Sequence, residues 1–303
     1  MTEQATAGAT GAAAPHPDDE PLCAEAHEIA TATDGDTVES VEERIALLRR
    51  ALASGEPSAP ALLAHAHLAR GERREAADLL IPAVMSRRES EHAGLLGETL
   101  AAIGDHDSAE AAFLVGLDGG DPAATNDYGV FLRGRGRTQE ALYVLDRAVR
   151  LGDELAPLNL VALHLEELDD PVTATELAEE FLDDDRPATL LALADCRLAE
   201  GRVGEAADLY RRAAEQGAPC GHIYYGWFLR EHHGDHDGAE EHLRRAHETG
   251  EPGAAFHVGR FLFDLGRAEE AQPYIEEAAR HGDPDAVALL ENQYRGLVDE
   301  YDD

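Results

Sequence analysis

Fifteen histidines, three cysteines and 62 acidic residues give this 303-residue chain many groups that could hold a metal or move a proton. The densest cluster is EHHGDHDG, where His232, His233 and His236 stand beside Asp235 and Asp237. Metal capture needs side chains that converge on one point with fixed geometry, which a glycine-containing turn between two helices rarely supplies. The related turn GDHDS at 104–108 repeats the shape without the extra histidines, so these are read as solvated loop residues. His65 and His67 lie two residues apart on one helix and point to different faces. Cys196 falls at an inward helical position, with no histidine placed by sequence to activate it, and is read as a core thiol. A phosphate loop, a nucleophile elbow, a zincin helix and an EF-hand loop are absent. The sequence predicts no catalysis, no metal and no cofactor.

Charge narrows the partners. The net charge is −37, and all 25 basic residues are arginine. A phosphate backbone is held mainly by cations, so the expectation is no nucleic acid. The acidity has three readings: a halophilic or high-GC source, simple solubility, or a functional acidic surface. Cys23, Cys196 and Cys220 leave an odd thiol in any disulfide scheme, which fits a reducing cytoplasm. The first residues lack a positive and an apolar region, and no stretch reaches the ~18 apolar residues of a membrane span. The expected localisation is cytoplasmic, with no membrane.

The elements follow from a ladder. Ala76, Ala109, Ala141, Ala174, Ala206, Ala239 and Ala271 are separated by 33, 32, 33, 32, 33 and 32 residues. Such a period means stacked supersecondary units, each completed by its neighbours. Residues 1–36 read as a disordered acidic tail, and 37–56 as an N-terminal capping helix with a capping box at Asp36 and Glu39 and apolar Ile45, Leu48 and Leu52. Seven two-helix repeats fill 57–283, and 284–303 forms a C-terminal capping helix and acidic tail. Pro122, Pro187, Pro219, Pro252 and Pro284 suit the first position of the first helix, with Asp121 and Asp283 as preceding caps. Gly71, Gly104, Gly136, Gly201, Gly234 and Gly266 end that helix. Asp107 with Glu110 and Asp237 with Glu240 suit capping boxes for the second helix, and Asp170 before Pro171 does the same in the repeat that lacks the glycine. Gly120, Gly152, Gly217, Gly250 and Gly282 close the second helix.

Small and large residues recur at fixed places. The first helix carries Ala64, Gly97, Gly129, Ala194, Gly226 and Gly259; the second carries Leu80, Phe113, Leu145, Tyr210, Leu243 and Ile275, then Ala83, Gly116, Ala148, Ala213, Ala246 and Ala278. Small opposite large is what close helix packing requires. The fourth repeat departs, with Val161, Ala178 and Phe181 at those places, and its packing is expected to rearrange around 155–186. Over 57–303 this arrangement resembles the tetratricopeptide repeat family, with Sel1-like character. The resemblance implies an all-α, right-handed α-solenoid of about seven helix-turn-helix repeats, with terminal capping helices. It also implies a concave wall built from the first helices, where partner proteins or peptides bind.

The exposed stripe of those helices reads Asn126, Val130, Arg133; Asn159, Leu163, Glu166; Leu191, Asp195, Leu198; Ile223, Trp227, Arg230; and Phe256, Arg260, Phe263, each triple on one face. Aromatic residues and arginine are the composition of interface hot spots. The candidate patch is therefore Ile223, Trp227, Arg230, Phe256, Arg260 and Phe263, with Asn126, Arg133 and Asn159 further along. Either these aromatics pack against the next repeat, or they line a groove for an acidic or apolar peptide. The acidic tail VDEYDD is a candidate to visit the groove's arginines. The chain is thus expected to be a non-enzymatic scaffold for a protein or peptide partner; the alternative is a ligand-responsive regulatory subunit acting on a separate effector. The oligomeric state is left open.

Overall fold

In a computed structural model, residues 38–183, 185–281 and 285–290, with Leu22, Cys23, Ala26 and Asp283, are described. Two compact units divide the chain, 1–70 and 71–303. Among the described residues there is helix and no strand.

The first unit holds α1 (Val38–Ser54) and α2 (Ala59–Ala69). Val41, Ile45, Leu48 and Ala51 form the buried stripe of α1, while Leu52, expected inside, is 38% exposed. Of the expected tail, only Leu22, Cys23 and Ala26 are described; Cys23 and Ala26 are buried, and the Cys23 amide donates to Glu56 Oε2 at 3.0 Å. The capping box at Asp36 lies outside the described residues.

The second unit opens with α3 (Arg73–Ile81), the second helix of the first repeat. Hairpins follow: α4 (Ala93–Ile103) with α5 (His106–Gly119), α6 (Pro122–Gly134) with α7 (Thr138–Leu151), and α8 (Ala156–Glu166) with α9 (Pro171–Phe181). Then come α10 (Ala188–Ala199) with α11 (Val203–Glu215), α12 (Gly221–Phe228) with α13 (His236–Glu248), and α14 (Ala254–Asp264) with α15 (Ala268–His281). Residues 285–290 are helical, and Leu289 and Leu290 pack on the last core cluster. The rest of the expected C-terminal cap, including VDEYDD, is outside the described residues.

All seven ladder alanines have no exposed surface. From Ala109 on, they sit where the two helices of a repeat cross. Opposite them, a Cβ added to Gly97 would lie 2.5 Å from the Phe113 ring, one at Gly129 2.5 Å from Leu145, and one at Gly259 2.6 Å from Ile275 Cγ1. The fourth repeat reaches the same density by exchange: Val161 and Ala178 are both fully buried in one cluster, large on the first helix and small on the second. Its missing glycine is replaced by Asp169, which takes the left-handed conformation at φ 51°.

Helix starts differ from expectation in two ways. Asp105 and Asp235, not Asp107 and Asp237, cap α5 and α13, accepting from the Ser108 and Gly238 amides at 3.2 and 2.9 Å. Glu110 and Glu240 are thereby free to clasp the next repeat. Glu110 Oε1 accepts from Tyr128 Oη and Arg137 Nη1, both at 2.7 Å, and Glu240 takes Arg267 Nη1 at 2.5 Å. The proline positions also shift. Pro122 is the first residue of α6 and Pro187 caps α10, but Pro219 and Pro252 stand two residues before α12 and α14. Each is followed by a left-handed residue, Cys220 or Gly253, in a turn closed by Gly221 N to Ala218 O at 2.8 Å or Ala254 N to Glu251 O at 3.1 Å. Pro284 lies outside the described residues.

Overpacking at the helix crossing outweighs the gain in helix propensity from alanine. Gly259→Ala, whose Cβ would meet the Ile275 backbone nitrogen at 3.1 Å as well as its side chain, is expected to lower stability by about 1–3 kcal/mol. Gly204→Ala, with nothing within 4 Å, is expected to be neutral or to stabilise by up to about 1 kcal/mol. Urea unfolding of the two variants measures the contrast, and equal losses would contradict this account of the crossing.

Candidate functional site

The first helices carry the sequence-predicted stripe, but adjacent stripes touch one another. Asn126 is buried and accepts from Asn159 Nδ2 at 2.8 Å, one repeat on. Arg133 is held by Glu166 and, at 3.2 Å, by Glu167. Ile223 is a core residue at 4% exposure. Arg230 Nη1 donates to Asp264 Oδ2 at 2.8 Å, and Arg260 Nε to Asp264 Oδ1 at 3.2 Å. Each arginine of the patch therefore already has a carboxylate within the chain. Phe256 and Phe263 are half-buried against the C-terminal core cluster.

Trp227 is the pivot between the sixth and seventh repeats. Its Nε1 donates to His257 Nδ1 at 3.0 Å, which leaves the His257 proton on Nε2, and burial holds His257 below the usual histidine range. The Arg230 guanidinium lies over the Trp227 ring at 4.9 Å and over Phe261 at 5.6 Å. Beside Trp227 opens a cavity of about 410 Å³ lined by Leu198 and Tyr210 of the fifth repeat, Cys220, Ile223, Tyr224, Trp227, Phe228, Glu231 and His232 of the sixth, and His257 of the seventh. Tyr210 stacks on Tyr224 at 6.4 Å and meets Phe228 at 5.1 Å.

Of the predicted patch, only Ile223 and Trp227 line this cavity. Tyr224, Phe228, Glu231, His232 and His257 were not singled out as binding residues. A signal for them exists in the residue count. Gly136 follows Gly129 by seven residues and Gly266 follows Gly259 by seven, whereas Gly234 follows Gly226 by eight. The extra residue is absorbed as a π-helical turn over Leu229–His233, which rotates the end of the helix and places Glu231 and His232 at the cavity. His232 and His233 also pack on the Phe228 ring, both at 5.2 Å, while the histidine loop stays exposed, as solvated loop residues would.

Other candidate chemistry resolves simply. Cys196 is fully buried and burial pushes its thiol up to about 11, as a core residue. Among the described residues, Glu89, Glu91 and His92 form a convergent trio of possible metal ligands, but Glu89 is engaged by Arg87 Nε at 2.5 Å and Glu91 is exposed.

Asp127 and Asp195 on the first helices are half-buried, while Glu98 is exposed at its tip. Burial raises Glu98; burial, then Glu98 and Asp153, push Asp127 up to about 7; and burial pushes Asp195 to about 6 despite its hydrogen bond from Tyr210.

An all-helical stack of hairpins that offers a pocketed face is a repeat interaction protein. Residues 62–124 and 162–219 match the model of the tetratricopeptide repeat family, and those two segments are tetratricopeptide repeats. Its architecture is that of a protein-interaction scaffold. A comparison with curated proteins finds no match. Among solved structures, yeast Tom70 is similar at TM-score 0.54 and 14% identity, over 87% of this chain and 60% of that chain. A human IFIT1 dimer with m7Gppp-AAAA has TM-score 0.48 at 14% identity over 89% of this chain and 73% of that one; Pseudomonas aeruginosa pilF has 0.44 at 20% over 68% and 96%. At these identities the likeness is one of fold alone. No helix among the described residues is long and apolar enough to cross a membrane.

A carboxyl whose folded pKa is raised opposes folding once ionised, so its burden grows from about pH 4 to about 7. Asp127→Asn is expected to stabilise the chain by about 1–2 kcal/mol at pH 8, with the gain vanishing below about pH 4. Thermal unfolding of both proteins across that range reads the difference, and a gain independent of pH would contradict the assignment.

Proposed function

We propose that the chain is a non-enzymatic scaffold that seats an extended segment of a partner protein along its first helices, anchored in the cavity between the fifth and seventh repeats. The observation that carries this reading is the cavity itself: about 410 Å³, walled by Tyr210, Tyr224, Trp227 and Phe228. Aromatic pockets that can desolvate one anchor side chain provide most of the free energy in peptide recognition. The half-buried Phe256 and Phe263 extend apolar surface onto the next first helix. A net charge of −37 without lysine supports a partner other than nucleic acid.

The cavity's volume also falls within the range that holds small molecules, roughly 300–1,000 Å³. That favours, as a second reading, a regulatory subunit whose grip on an effector depends on a ligand.

Affinity capture with the full chain is expected to lose a set of partners on Trp227→Ala plus Phe256→Ala and to keep them on Tyr143→Ala, whose ring is 63% exposed on a second helix. Circular dichroism of each variant controls for folding. Identical partner sets from folded proteins would discard the cavity as the binding site. Partners recovered only with an added small molecule would favour the regulatory subunit.

A further inference from the structure

Charge decides what fits the cavity. Glu231 lines it and, among the described residues, has no ion-pair partner. Asp195 accepts from the hydroxyl of Tyr210, whose ring is part of the wall. Glu166 and Glu167 lie at Arg133, and Asp264 serves both Arg230 and Arg260. Glu231 is thus the one acidic residue in the cavity lining, and the guanidinium groups of Arg133, Arg230 and Arg260 on the first helices are each already bound. His257, held neutral by burial, adds no charge. An acidic segment would find no free cation here. A neutral apolar side chain would leave the exposed Glu231 carboxylate without a charged partner.

The chain also contains an internal example of the complementary contact. Arg230 sits over Trp227 and Phe261 while Asp264 holds its Nη1 at 2.8 Å, a guanidinium between aromatic faces and a carboxylate. The cavity repeats those components without the cation: Tyr224, Trp227 and Phe228 as rings and Glu231 as the carboxylate. Planar guanidinium stacks on aromatic faces and pairs with carboxylates in a fork, and it is more weakly hydrated than ammonium. The π-helical turn Leu229–His233 is what brings Glu231 to the rings, so the insertion and the carboxylate coincide at one place.

We propose that the cavity receives an arginine side chain from a basic segment of the partner, with the guanidinium among Tyr224, Trp227 and Phe228 and its fork on Glu231. This deepens the preceding reading and rests on the cavity being the site where a partner segment binds. The acidity of the inner face then acts as an attractive field for a basic segment, strongest at low salt.

Trp227 is the chain's single tryptophan, so its fluorescence reports on the site in the full-length protein. Short peptides of one neutral background would be titrated, carrying at the centre arginine, its uncharged isostere citrulline, phenylalanine or glutamate. The arginine peptide is expected to give a saturable change, with citrulline binding about tenfold more weakly or worse. Glu231→Gln, a substitution at an exposed position, is expected to weaken the arginine peptide by about tenfold without changing phenylalanine binding. Citrulline, phenylalanine or glutamate binding as tightly as arginine would overturn the arginine assignment while leaving the cavity as the partner site. No response to any peptide, together with an unchanged partner set for the Trp227 and Phe256 double variant, would overturn both.

Discussion

The distance between the two helices of each repeat is the constraint on which the rest depends. At Gly97, Gly129 and Gly259 a single added carbon would fall within 2.6 Å of the facing side chain, and at Gly226 within 2.9 Å. Helices this close exclude water from the ladder alanines and fix the angle at which one hairpin meets the next. With the crossing set, the residues that face away from it, such as Val130 on a first helix and Tyr143 on a second, are free to vary without disturbing the packing. The fourth repeat shows that the constraint concerns summed volume rather than residue type, since Val161 and Ala178 exchange large and small and both remain fully buried.

The electrostatic design follows from where the cations are spent. Arginine after the closing glycine recurs as Arg137, Arg202 and Arg267, and each pairs with a glutamate three residues on: Glu140, Glu205 and Glu270. Arg137 and Arg267 also reach back to Glu110 and Glu240 of the preceding repeat; Glu110 is held below the usual range by the Tyr128 hydroxyl and then Arg137, and Glu240 by Arg267. Exposed pairs of this kind contribute little singly, about 0–1 kcal/mol, but they offset self-repulsion at the repeat junctions of a strongly acidic chain. Cations committed there are not available to the carboxylates of the first helices. Asp127 and Asp195 stay without a strong counter-charge and their pKa values rise, to about 7 and about 6.

The fold was legible because its rules are local and repeated. Closing glycines at Gly104, Gly136, Gly201, Gly234 and Gly266 all adopt positive φ, and the alanine ladder lies in the core. The capping aspartates were displaced by two residues because Asp105 and Asp235 directly follow the left-handed glycines, so the second helix begins with no spacer. The site was legible only in part. Periodicity marks a face, and Ile223 and Trp227 do line one cavity, but it does not reveal that Ile223 and Asn126 are buried. Nor does a uniform helical phase find Phe228, Glu231 and His232, which follow a local change of helix type.

That change shows how a uniform stack acquires a local cavity. The additional residue in the sixth repeat sits after Gly226, so the crossing is already made, and before Gly234, so the cap at Asp235 is undisturbed. Confined between these fixed points, it can only widen one helical turn, and the ladder step remains 33 residues. The first repeat contains the same device: Pro82–Ser86 is a π-helical turn, and its second helix closes at Arg88, φ 61°, twelve residues after Ala76 where Gly120 closes eleven after Ala109. There the flanking Met85, Ser86 and Arg87 are exposed and carry no rings. An inserted residue therefore does not by itself make a cavity. In the sixth repeat it lies beside one because Tyr210 and Tyr224 are already in place from ordinary repeat packing, and the widened turn adds a carboxylate and an imidazole to a wall that the fold had built.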